Sequence, residues 1–302
     1  MVTVGVDIGG TNLRIGLVDK KGAVRAFRKT RQEKVLSGDH AVENLIEYLL
    51  KFLSDNAGEE KVSAACLGMP ATLDAARETV LNAPNVLGLN GINLQRELNG
   101  RFSFPIFLCR DVEALFLFDL HRFSVGQNGT AIACYIGTGL GNAVAVDGKL
   151  LAGTHGVAGE LGHIPAWDSD VPCSCGNRGC VEELVGGKAL ERLQKTRFPE
   201  TPVGELFSRH KKDPELLSYV GHLALPIAAE INILDPGVAV LGGGVLSMAS
   251  FPLDLLRKEI LRHVRKPLPY EQLKFIFSPA DGKNGVAGAG LLAWKLLRRE
   301  AV

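Results

Sequence analysis

Residues 2–27 read VTVGVDIGGTNLRIGLVDKKGAVRAF, and this stretch indicates the kind of fold. Apolar residues alternate along it on both sides of Gly9-Gly10-Thr11, which predicts two strands joined by a glycine turn. A Lys-Lys-Gly turn at 20–22 then leads into a third strand. The alternation therefore predicts a three-stranded meander at the start of the chain.

A second stretch, IACYIGTGLGNAVAVDGKLL at 132–151, has the same plan of strand, glycine turn and strand. The identical residues of the two copies are Ile8, Gly9, Val18 and Asp19 in the first and Ile136, Gly137, Val146 and Asp147 in the second. These four identities are weak alone, but the shared plan indicates an internal repeat. The sequence thus predicts an α/β fold with two related halves that face each other, each with a βββαβα core.

Apolar patterns elsewhere predict the elements that complete these halves. Predicted strands lie at 62–67, 106–108, 238–241 and 274–277. Predicted helices lie at 40–53, 216–234 and 285–299, and two more begin at Asp111 and after Pro252. At 302 residues the chain is long for one core. We expect two domains, residues 1–114 with 284–302 and residues 115–283, the second containing a cysteine-rich motif.

The composition indicates a globular protein with a small-molecule partner. The chain is 46% hydrophobic and 22% charged, with a formal net charge of +1. These values give no sign of disorder, of a membrane-binding surface or of a nucleic-acid-binding face. No apolar run approaches the roughly 18 residues needed to cross a bilayer, and Met1 leads directly into an apolar strand. We therefore expect a cytoplasmic protein that binds neither membrane nor nucleic acid.

Three glycine-rich turns follow predicted strands, and together they predict a phosphate-binding site. They are Asp7-Ile8-Gly9-Gly10-Thr11, Gly137-Thr138-Gly139-Leu140-Gly141 and Gly242-Gly243-Gly244. Successive backbone N–H groups in such turns bind anions, whereas a single turn of this kind is more often a plain hairpin. None matches the Walker or the dinucleotide-binding pattern. Asp7 suits hydrated Mg²⁺, with a turn-forming aspartate as the alternative.

The six cysteines fall into two groups. Cys66, Cys109 and Cys134 are scattered through apolar strands, where free cysteine is normally a small buried residue. The other three lie in GELGHIPAWDSDVPCSCGNRGCVEE at 159–183, where two glycines permit a tight knuckle. One imidazole and three thiolates complete the tetrahedral shell of a structural zinc ion. The predicted ligands are His163, Cys173, Cys175 and Cys180.

Carboxylates in two regions are candidates for the chemistry. Asp111 follows a predicted strand, where it could accept the proton of a hydroxyl that attacks a phosphate. It could equally be a plain helix cap, and Glu113 is a weaker candidate base. Glu160 and Glu182 flank the cysteine-rich segment and could accept hydrogen bonds from sugar hydroxyls. Their spacing alone favours solvated surface glutamates instead.

From residue 4 to residue 293 the chain resembles the ROK family of bacterial sugar kinases and sugar-responsive repressors. The motifs that carry the resemblance are DIGGT at Asp7, GMP at 68–70, APN at 83–85, IGTGLG at Ile136, ELGH at Glu160, CSCGNRGCVE at Cys173 and LGGGV at Leu241. The resemblance implies the two-domain actin-like ATPase fold, of the ribonuclease H type, in which ATP and sugar meet in an interdomain cleft. The family also suggests a homodimer.

The resemblance assigns a role to each matching position. Asp111 is the expected catalytic base, with Mg²⁺ near Asp7 and structural Zn²⁺ on the histidine and the three cysteines. The expected sugar contacts are Pro70, Ala71, Asn85, Arg110, Asp111, Glu160, His163 and Glu182. The expected ATP contacts are Asp7, Gly9, Gly10, Thr11, Gly137, Thr138, Gly139, Gly141, Gly242, Gly243 and Gly244. One ring nitrogen of the histidine is expected on zinc and the other on a sugar hydroxyl.

Departures from the family pattern lie beside the predicted sugar. Arg110 and Glu113 stand where the family commonly has asparagine, Ala71 replaces a loop glycine, and Leu89 stands where tryptophan is frequent. These departures and the strings at 110–112, 154–165 and 265–269 make the chain look most like bacterial D-allose kinases. We expect phosphorylation of the 6-hydroxyl of D-allose, with glucose, mannose and N-acetylmannosamine as the alternative substrates.

Two other classes of function compete with the kinase. The repressors of the family carry a helix-turn-helix domain ahead of the kinase-like part, but six residues precede Asp7 and the chain has no basic excess. A catalytically silent sugar sensor would lack the base or a phosphate turn, and both are present. The sequence therefore favours an ATP-dependent sugar kinase.

Overall fold

The computed structural model describes residues 1–38 and 40–298, apart from the side chain of Leu87. Residues 299–302, which include the last residue of the predicted final helix and the end of the first predicted domain, lie outside this description. The chain forms two compact units. Unit 1 comprises Met1–Ser124, Lys149–Ala158 and the described part of Asp281–Val302, and unit 2 comprises Val125–Gly148 and Gly159–Ala280.

The described residues form strands and helices in the alternating order expected of an α/β protein. The strands are β1 (Val2–Ile8), β2 (Asn12–Val18), β3 (Val24–Arg31), β4 (Val62–Met69), β5 (Thr72–Leu73), β6 (Val80–Asn82), β7 (Ile106–Arg110), β8 (Thr130–Ile136), β9 (Leu140–Val146), β10 (Lys149–Leu150), β11 (Val238–Gly242) and β12 (Lys274–Ser278). The helices are α1 (Glu33–Leu36), α2 (Ala41–Asn56), α3 (Leu94–Asn99), α4 (Asp111–Phe123), α5 (Glu182–Val185), α6 (Gly187–Arg197), α7 (Leu206–Arg209), α8 (Pro214–Leu234), α9 (Leu253–His263) and α10 (Asn284–Leu297).

Unit 1 is built on a five-stranded sheet in the order β3-β2-β1-β4-β7. The meander predicted for 2–27 is confirmed, since β1 and β2 pair antiparallel and β2 and β3 do likewise. β1 pairs with β4, and β4 with β7, in parallel. In these two registers Asp7 lies opposite Gly68, and Gly68 lies opposite Cys109. The carboxyl ends of β1, β4 and β7 therefore share one edge of the sheet.

Glycines let α10 pack very closely on this sheet and on α4. A Cβ on Gly5 of β1 would overlap with the carbonyl oxygen of Val286 in α10. A Cβ on Gly288 of α10 would overlap with the carbonyl oxygen of Ala114 in α4. The other face of the sheet is covered by α2, whose buried apolar residues belong to the same core as those of β1. Helices on both faces explain why β1 is buried along almost its whole length.

The second five-stranded sheet has the order β10-β9-β8-β11-β12, and its strands β8, β9, β11 and β12 belong to unit 2. β8 pairs antiparallel with β9 and parallel with β11, and β11 pairs parallel with β12. The two sheets therefore match strand for strand, and the predicted internal repeat is confirmed.

Helix α8 is the one helix of the described residues that is long and apolar enough to cross a membrane, which the sequence analysis did not anticipate. Of its most apolar window, 56% is buried within unit 2. Val220, Leu223, Ile227 and Ile231 are fully buried in the core of that unit. Core helices pass the same test of length and composition, so α8 gives only weak support for a membrane span.

The compact units differ from the expected domain bounds at three places, one of which is the last segment of unit 1, which begins at Asp281 and not at residue 284. The expected boundary after residue 114 falls inside α4, whereas unit 1 continues to Ser124 because α4 packs against α10. Lys149–Ala158 was expected in the second domain and groups with unit 1.

Candidate active site

The cysteine-rich segment of unit 2 brings the four predicted zinc ligands together. The ligand atoms of His163, Cys173, Cys175 and Cys180 all lie within 4.8 Å of one another. His163 Nδ1 is 3.6 Å from Cys173 Sγ, and the Sγ atoms of Cys175 and Cys180 are also 3.6 Å apart. Nitrogen and sulfur ligands at about 2.0–2.3 Å from zinc lie about 3.3–3.8 Å apart at the corners of a tetrahedron. The four residues therefore fit structural Zn²⁺, while its presence stays a prediction.

Glycines shape the loop that holds these ligands. Gly176 and Gly179 have φ values of +95° and +71°, in the left-handed region that glycine adopts without strain. A Cβ on Gly179 would also overlap with the carbonyl oxygen of Ser169. The backbone N–H of Cys173 donates to the carbonyl of Asn177 at 2.9 Å and closes the turn. The tight knuckle expected from the glycine spacing is confirmed.

The Cys180 thiol of this loop loses its proton at neutral pH only beside a bound cation. Burial, together with hydrogen bonds that the Cys180 thiol donates to the neighbouring sulfur atoms, raises the pKa of Cys180 to about 12. A thiol with such a pKa keeps its proton at neutral pH unless a nearby cation stabilises the thiolate.

His163 lies between two carboxylates. Its Nε2 is 3.6 Å from Glu160 Oε2, and its Nδ1 is 3.7 Å from Glu182 Oε1. The Nδ1 atom also faces Cys173, so this nitrogen is placed for the metal and Nε2 points away from the cluster. The three sugar contacts expected in unit 2 thus lie together, and their role stays a prediction.

The glycine turn after β8 lies against Glu182. The backbone N–H of Leu140 donates to Glu182 Oε2 at 3.3 Å. A Cβ on Gly139 would overlap with the same oxygen, so a side chain there would displace the Glu182 carboxylate. Gly137 and Thr138 are exposed, and a Cβ on Gly137 would meet open space. The turn is therefore held by Glu182 at Gly139 and Leu140, whereas Gly137 and Thr138 are accessible to a ligand.

The turn after β11 lies beside the turn after β8. Gly242 is opposite Tyr135 in the parallel register of β11 and β8. Gly243 has φ +101°, and a Cβ there would overlap with the carbonyl oxygen of Ile136. The backbone N–H of Val245 donates to that oxygen at 3.0 Å. The second and third predicted phosphate turns thus share one edge of the unit 2 sheet.

In unit 1, Asp7 stands near the end of β1 and pairs with an arginine that the sequence analysis missed. Arg14 Nη1 on β2 donates to Asp7 Oδ2 at 2.8 Å. Burial raises the pKa of Asp7, and the Arg14 charge offsets part of that shift. Gly9 closes the following turn by donating to the Asn12 carbonyl at 2.8 Å, which leaves Gly10 and Thr11 exposed. The Asp7 carboxylate bonds to arginine through one oxygen. Its other oxygen suits a hydrogen bond from a water ligand of hydrated Mg²⁺.

Asp111 is the first residue of α4, at the sheet edge where Asp7 also lies. The N-cap position is taken by Arg110, whose backbone is extended, so the alternative of Asp111 as the plain cap is not what the structure has. Asp111 Oδ1 accepts a hydrogen bond from the backbone N–H of Val112 at 2.8 Å. The side chain is partly exposed, as a base that meets a substrate must be.

Glu113, the weaker candidate base, is a structural carboxylate instead. Its side chain is 3% exposed and both of its oxygens accept hydrogen bonds from Arg77, with Nη2 at 2.7 Å from Oε1. Glu113 Oε2 also accepts from the backbone N–H of Arg110 at 3.1 Å. These bonds fix the first turn of α4 and therefore the backbone of Asp111. Sequence reasoning missed Arg77 because it lies far away in the chain.

Arg110 is buried, and its guanidinium Nη1 donates to the carbonyl of Ala158 at 2.6 Å. This bond ties the end of Lys149–Ala158 to the start of α4. A contact between Arg110 and the sugar stays a prediction.

The remaining expected sugar contacts are in unit 1. Pro70 and Ala71 directly follow β4 and are partly exposed. Asn85 is exposed, and its amide nitrogen would lie 3.4 Å from a Cβ on Gly10. Leu89, one of the departures from the family pattern, is 1% exposed within the apolar core. Any effect of Leu89 on the sugar therefore acts through packing rather than through contact.

Comparison with known proteins gives the family. The ROK family profile matches residues 3–295. A glucokinase from Thermotoga maritima is 26% identical over 307 residues, which cover 95% of each chain. An N-acetylmannosamine kinase from Salmonella heidelberg is 26% identical over 299 residues, or 97% of this chain and 98% of that one.

A solved structure gives the same result for the fold. The crystal structure of a ROK family glucokinase from Streptomyces griseus in complex with glucose and AMPPNP matches with a TM-score of 0.80 and 28% identity. The match covers 98% of this chain and 100% of that chain. The actin-like α/β ATPase fold expected from the sequence is confirmed. Because the family profile spans almost the whole chain, the protein belongs to the ROK family.

Proposed function

We propose that this protein is a sugar kinase that transfers the γ-phosphate of ATP to the 6-hydroxyl of an aldohexose, with D-allose as the first substrate to test. One observation carries the proposal furthest. Asp111 starts α4 at the edge where the parallel strands β1, β4 and β7 end, and Asp7 stands at that same edge. A carboxylate base and a second carboxylate for Mg²⁺ are the side chains that phosphoryl transfer requires.

In the proposed reaction the Asp111 carboxylate accepts the proton of the sugar 6-hydroxyl. The hydroxyl oxygen forms a bond to the γ-phosphorus, the bond from that phosphorus to the bridging oxygen breaks, and ADP leaves with the electron pair. Arg77 and Glu113 hold the first turn of α4, so the base keeps its place while the charge on it changes.

The phosphates are assigned to the backbone of the glycine turns. The exposed residues of these turns, Gly10, Thr11, Thr138 and Gly244, would offer backbone N–H groups that stabilise negative charge without the cost of ordering long side chains. Bound Mg²⁺ would neutralise charge on the phosphates, and Asp7 is the residue proposed to hold one of its water ligands.

Sugar hydroxyls are assigned to Glu160, Glu182 and His163 Nε2. The carboxylates accept hydrogen bonds, and the imidazole edge is oriented by the cysteine cluster at Nδ1. Structural Zn²⁺ on His163 and the three cysteines would fix the tautomer and direction of this ring. Pro70, Ala71, Asn85 and Arg110 are proposed to complete the sugar site.

The choice among sugars rests on residues near Asp111. A buried arginine at position 110 changes the hydrogen-bonding pattern where the family commonly has asparagine, and a buried polar group penalises a sugar that cannot match it. The named relatives, glucokinase and N-acetylmannosamine kinase, support the alternatives of glucose and N-acetylmannosamine. We propose further that the protein acts in the cytoplasm as a homodimer.

An ATP assay coupled to ADP release, run with a panel of sugars, tests this function. The panel contains D-allose, glucose, mannose, N-acetylglucosamine and N-acetylmannosamine, each with Mg²⁺. We expect turnover with at least one aldohexose and the highest kcat/KM for D-allose. A higher kcat/KM for another sugar would replace the substrate, and no turnover with any of them would contradict the proposal of a kinase.

A further inference from the structure

Glu182 contacts two parts of unit 2 that are distant in sequence, the cysteine cluster and the turn at 137–141. Its Oε1 lies 3.4 Å from Cys173 Sγ, and its Oε2 accepts the N–H of Leu140 at 3.3 Å. The side chain is 15% exposed, so water competes little for these contacts. One carboxylate therefore bonds to the ligand loop and to the glycine turn at the same time.

The residues after Glu182 continue this support of the turn. The backbone N–H of Gly187 donates to the carbonyl of Gly137 at 2.8 Å, and that of Lys188 donates to the carbonyl of Thr138 at 3.1 Å. A Cβ would lie 2.7 Å from the Thr138 oxygen if placed on Gly186, and 2.6 Å from the Gly137 oxygen if placed on Gly187. Glycines at 186 and 187 are thus required for the start of α6 to reach the turn.

The same segment is anchored to the cluster at its other end. Cys180 precedes Glu182 by two positions, and its carbonyl accepts the N–H of Glu183 at 3.1 Å. Val181 N–H donates to the carbonyl of Ile164, next to His163, at 3.0 Å. A short, hydrogen-bonded stretch of chain therefore runs from two metal-ligand positions to the backbone of the turn.

We propose that Glu182 is a positioning residue that couples occupancy of the cysteine cluster to the turn at 137–141, so that zinc binding strengthens nucleotide binding. This role is separate from the sugar contact assigned to Glu182. It rests on the proposed function only in naming a nucleotide as the ligand of the turn.

The test compares zinc-loaded wild-type protein, chelator-treated wild-type protein, Glu182→Gln and Glu182→Ala, all without sugar. Amide hydrogen exchange reports on Leu140, Gly187 and Lys188, and titration with ADP and Mg²⁺ reports on the affinity for nucleotide. We expect faster exchange at those amides and about tenfold weaker ADP binding in both variants, because the charged acceptor of the Leu140 N–H is lost. We expect the same direction of change in the metal-free protein, because the loop that contacts the Glu182 carboxylate through Cys173 loosens without its metal.

Asp168→Asn is the matched control, because Asp168 lies on the same loop and is exposed. It should match the wild type in both measurements. Unchanged exchange and unchanged ADP affinity in the metal-free protein and in both Glu182 variants would overturn the proposal. If zinc-loaded wild type does not bind ADP, the proposed function fails, and the exchange rates alone decide the role of Glu182.

Discussion

The two glycine turns that follow the first strand of each sheet occupy equivalent places and are supported differently. In unit 1 the third residue of β2 is Arg14, which pairs with Asp7 beside the turn at a partly exposed position. In unit 2 the third residue of β9 is Asn142, whose amide donates to Glu230 of α8 at 2.9 Å in the buried core. The first turn is held by a charge pair and the second by buried hydrogen bonds.

The same topology therefore carries different chemical groups at equivalent places in the two units. Unit 1 places charged side chains, Asp7 and Asp111, at the ends of parallel strands. In unit 2 the turn exposes mainly backbone groups. Hydrogen bonds from the turn to Glu182, and from the start of α6 to the turn, hold it in place. We therefore expect substitutions in unit 1 to change turnover, and those at the unit 2 turn to change stability and affinity.

The largest expected effect is on turnover, from Asp111→Asn. Loss of a positioned general base lowers rates by about 10² to 10⁴-fold, so kcat should fall by that factor. The melting temperature should stay near that of the wild type, because asparagine keeps an oxygen for the N–H of Val112. A kcat within threefold of the wild type in a folded variant would show that Asp111 is not the base.

The next effect is on stability, from Cys175→Ser or from a chelator. We expect about one equivalent of zinc per chain in the wild type and a loss of both zinc and thermal stability in the variant, because metal binding free energy contributes to folding. Metal analysis of the purified protein and thermal unfolding give the two values. An active wild-type protein without zinc would contradict the assignment of the cluster.

A smaller effect is expected from Gly139→Ala. Its Cβ would overlap with Glu182 Oε2, so the turn or the carboxylate must move, at a cost of about 1–3 kcal/mol in unfolding free energy. Gly204→Ala is the control, because a Cβ there meets nothing within 4 Å. Chemical denaturation compares the two, and equal stability of both variants would mean that Glu182 does not restrict the turn.

A further effect, of comparable size, depends on pH and concerns Glu230. Burial raises the pKa of Glu230 from 4.5 to about 7, although Asn142 and Cys134 offset part of the shift. Folding therefore takes up a proton, and the unfolding free energy should fall as the pH rises from about 4.5 through 7. Glu230→Gln removes this dependence, which amounts to about 2–3 kcal/mol by pH 8.

Denaturant unfolding of wild type and Glu230→Gln between pH 5 and pH 8 measures this effect. Glu215→Gln on the same helix is the control, because its side chain is 56% exposed and should leave the pH dependence unchanged. Parallel pH profiles of wild type and Glu230→Gln would show that Glu230 is not a buried proton acceptor.

Local strings of sequence were enough to predict the repeat, the three turns and the cysteine cluster. Each of these features depends on residues that lie close together in the sequence, such as the alternation around Gly9 or the spacing from Cys173 to Cys180. The pairs Arg77 with Glu113 and Asn142 with Glu230 were not predicted, because they join residues that only the fold brings together. Glu113 was considered a candidate base for the same reason, since its arginine partner is 36 positions away.

The central claim is that residues of unit 1 determine turnover, whereas the turn of unit 2 determines nucleotide affinity. The most direct test measures kcat and the Kd for ADP with Mg²⁺ in Asp111→Asn, Gly139→Ala and the wild type. We expect opposite patterns in the two variants. Asp111→Asn should lose at least about 100-fold in kcat and keep the wild-type Kd, whereas Gly139→Ala should bind ADP about tenfold more weakly. The same pattern in both variants, or wild-type kcat in Asp111→Asn, would contradict it.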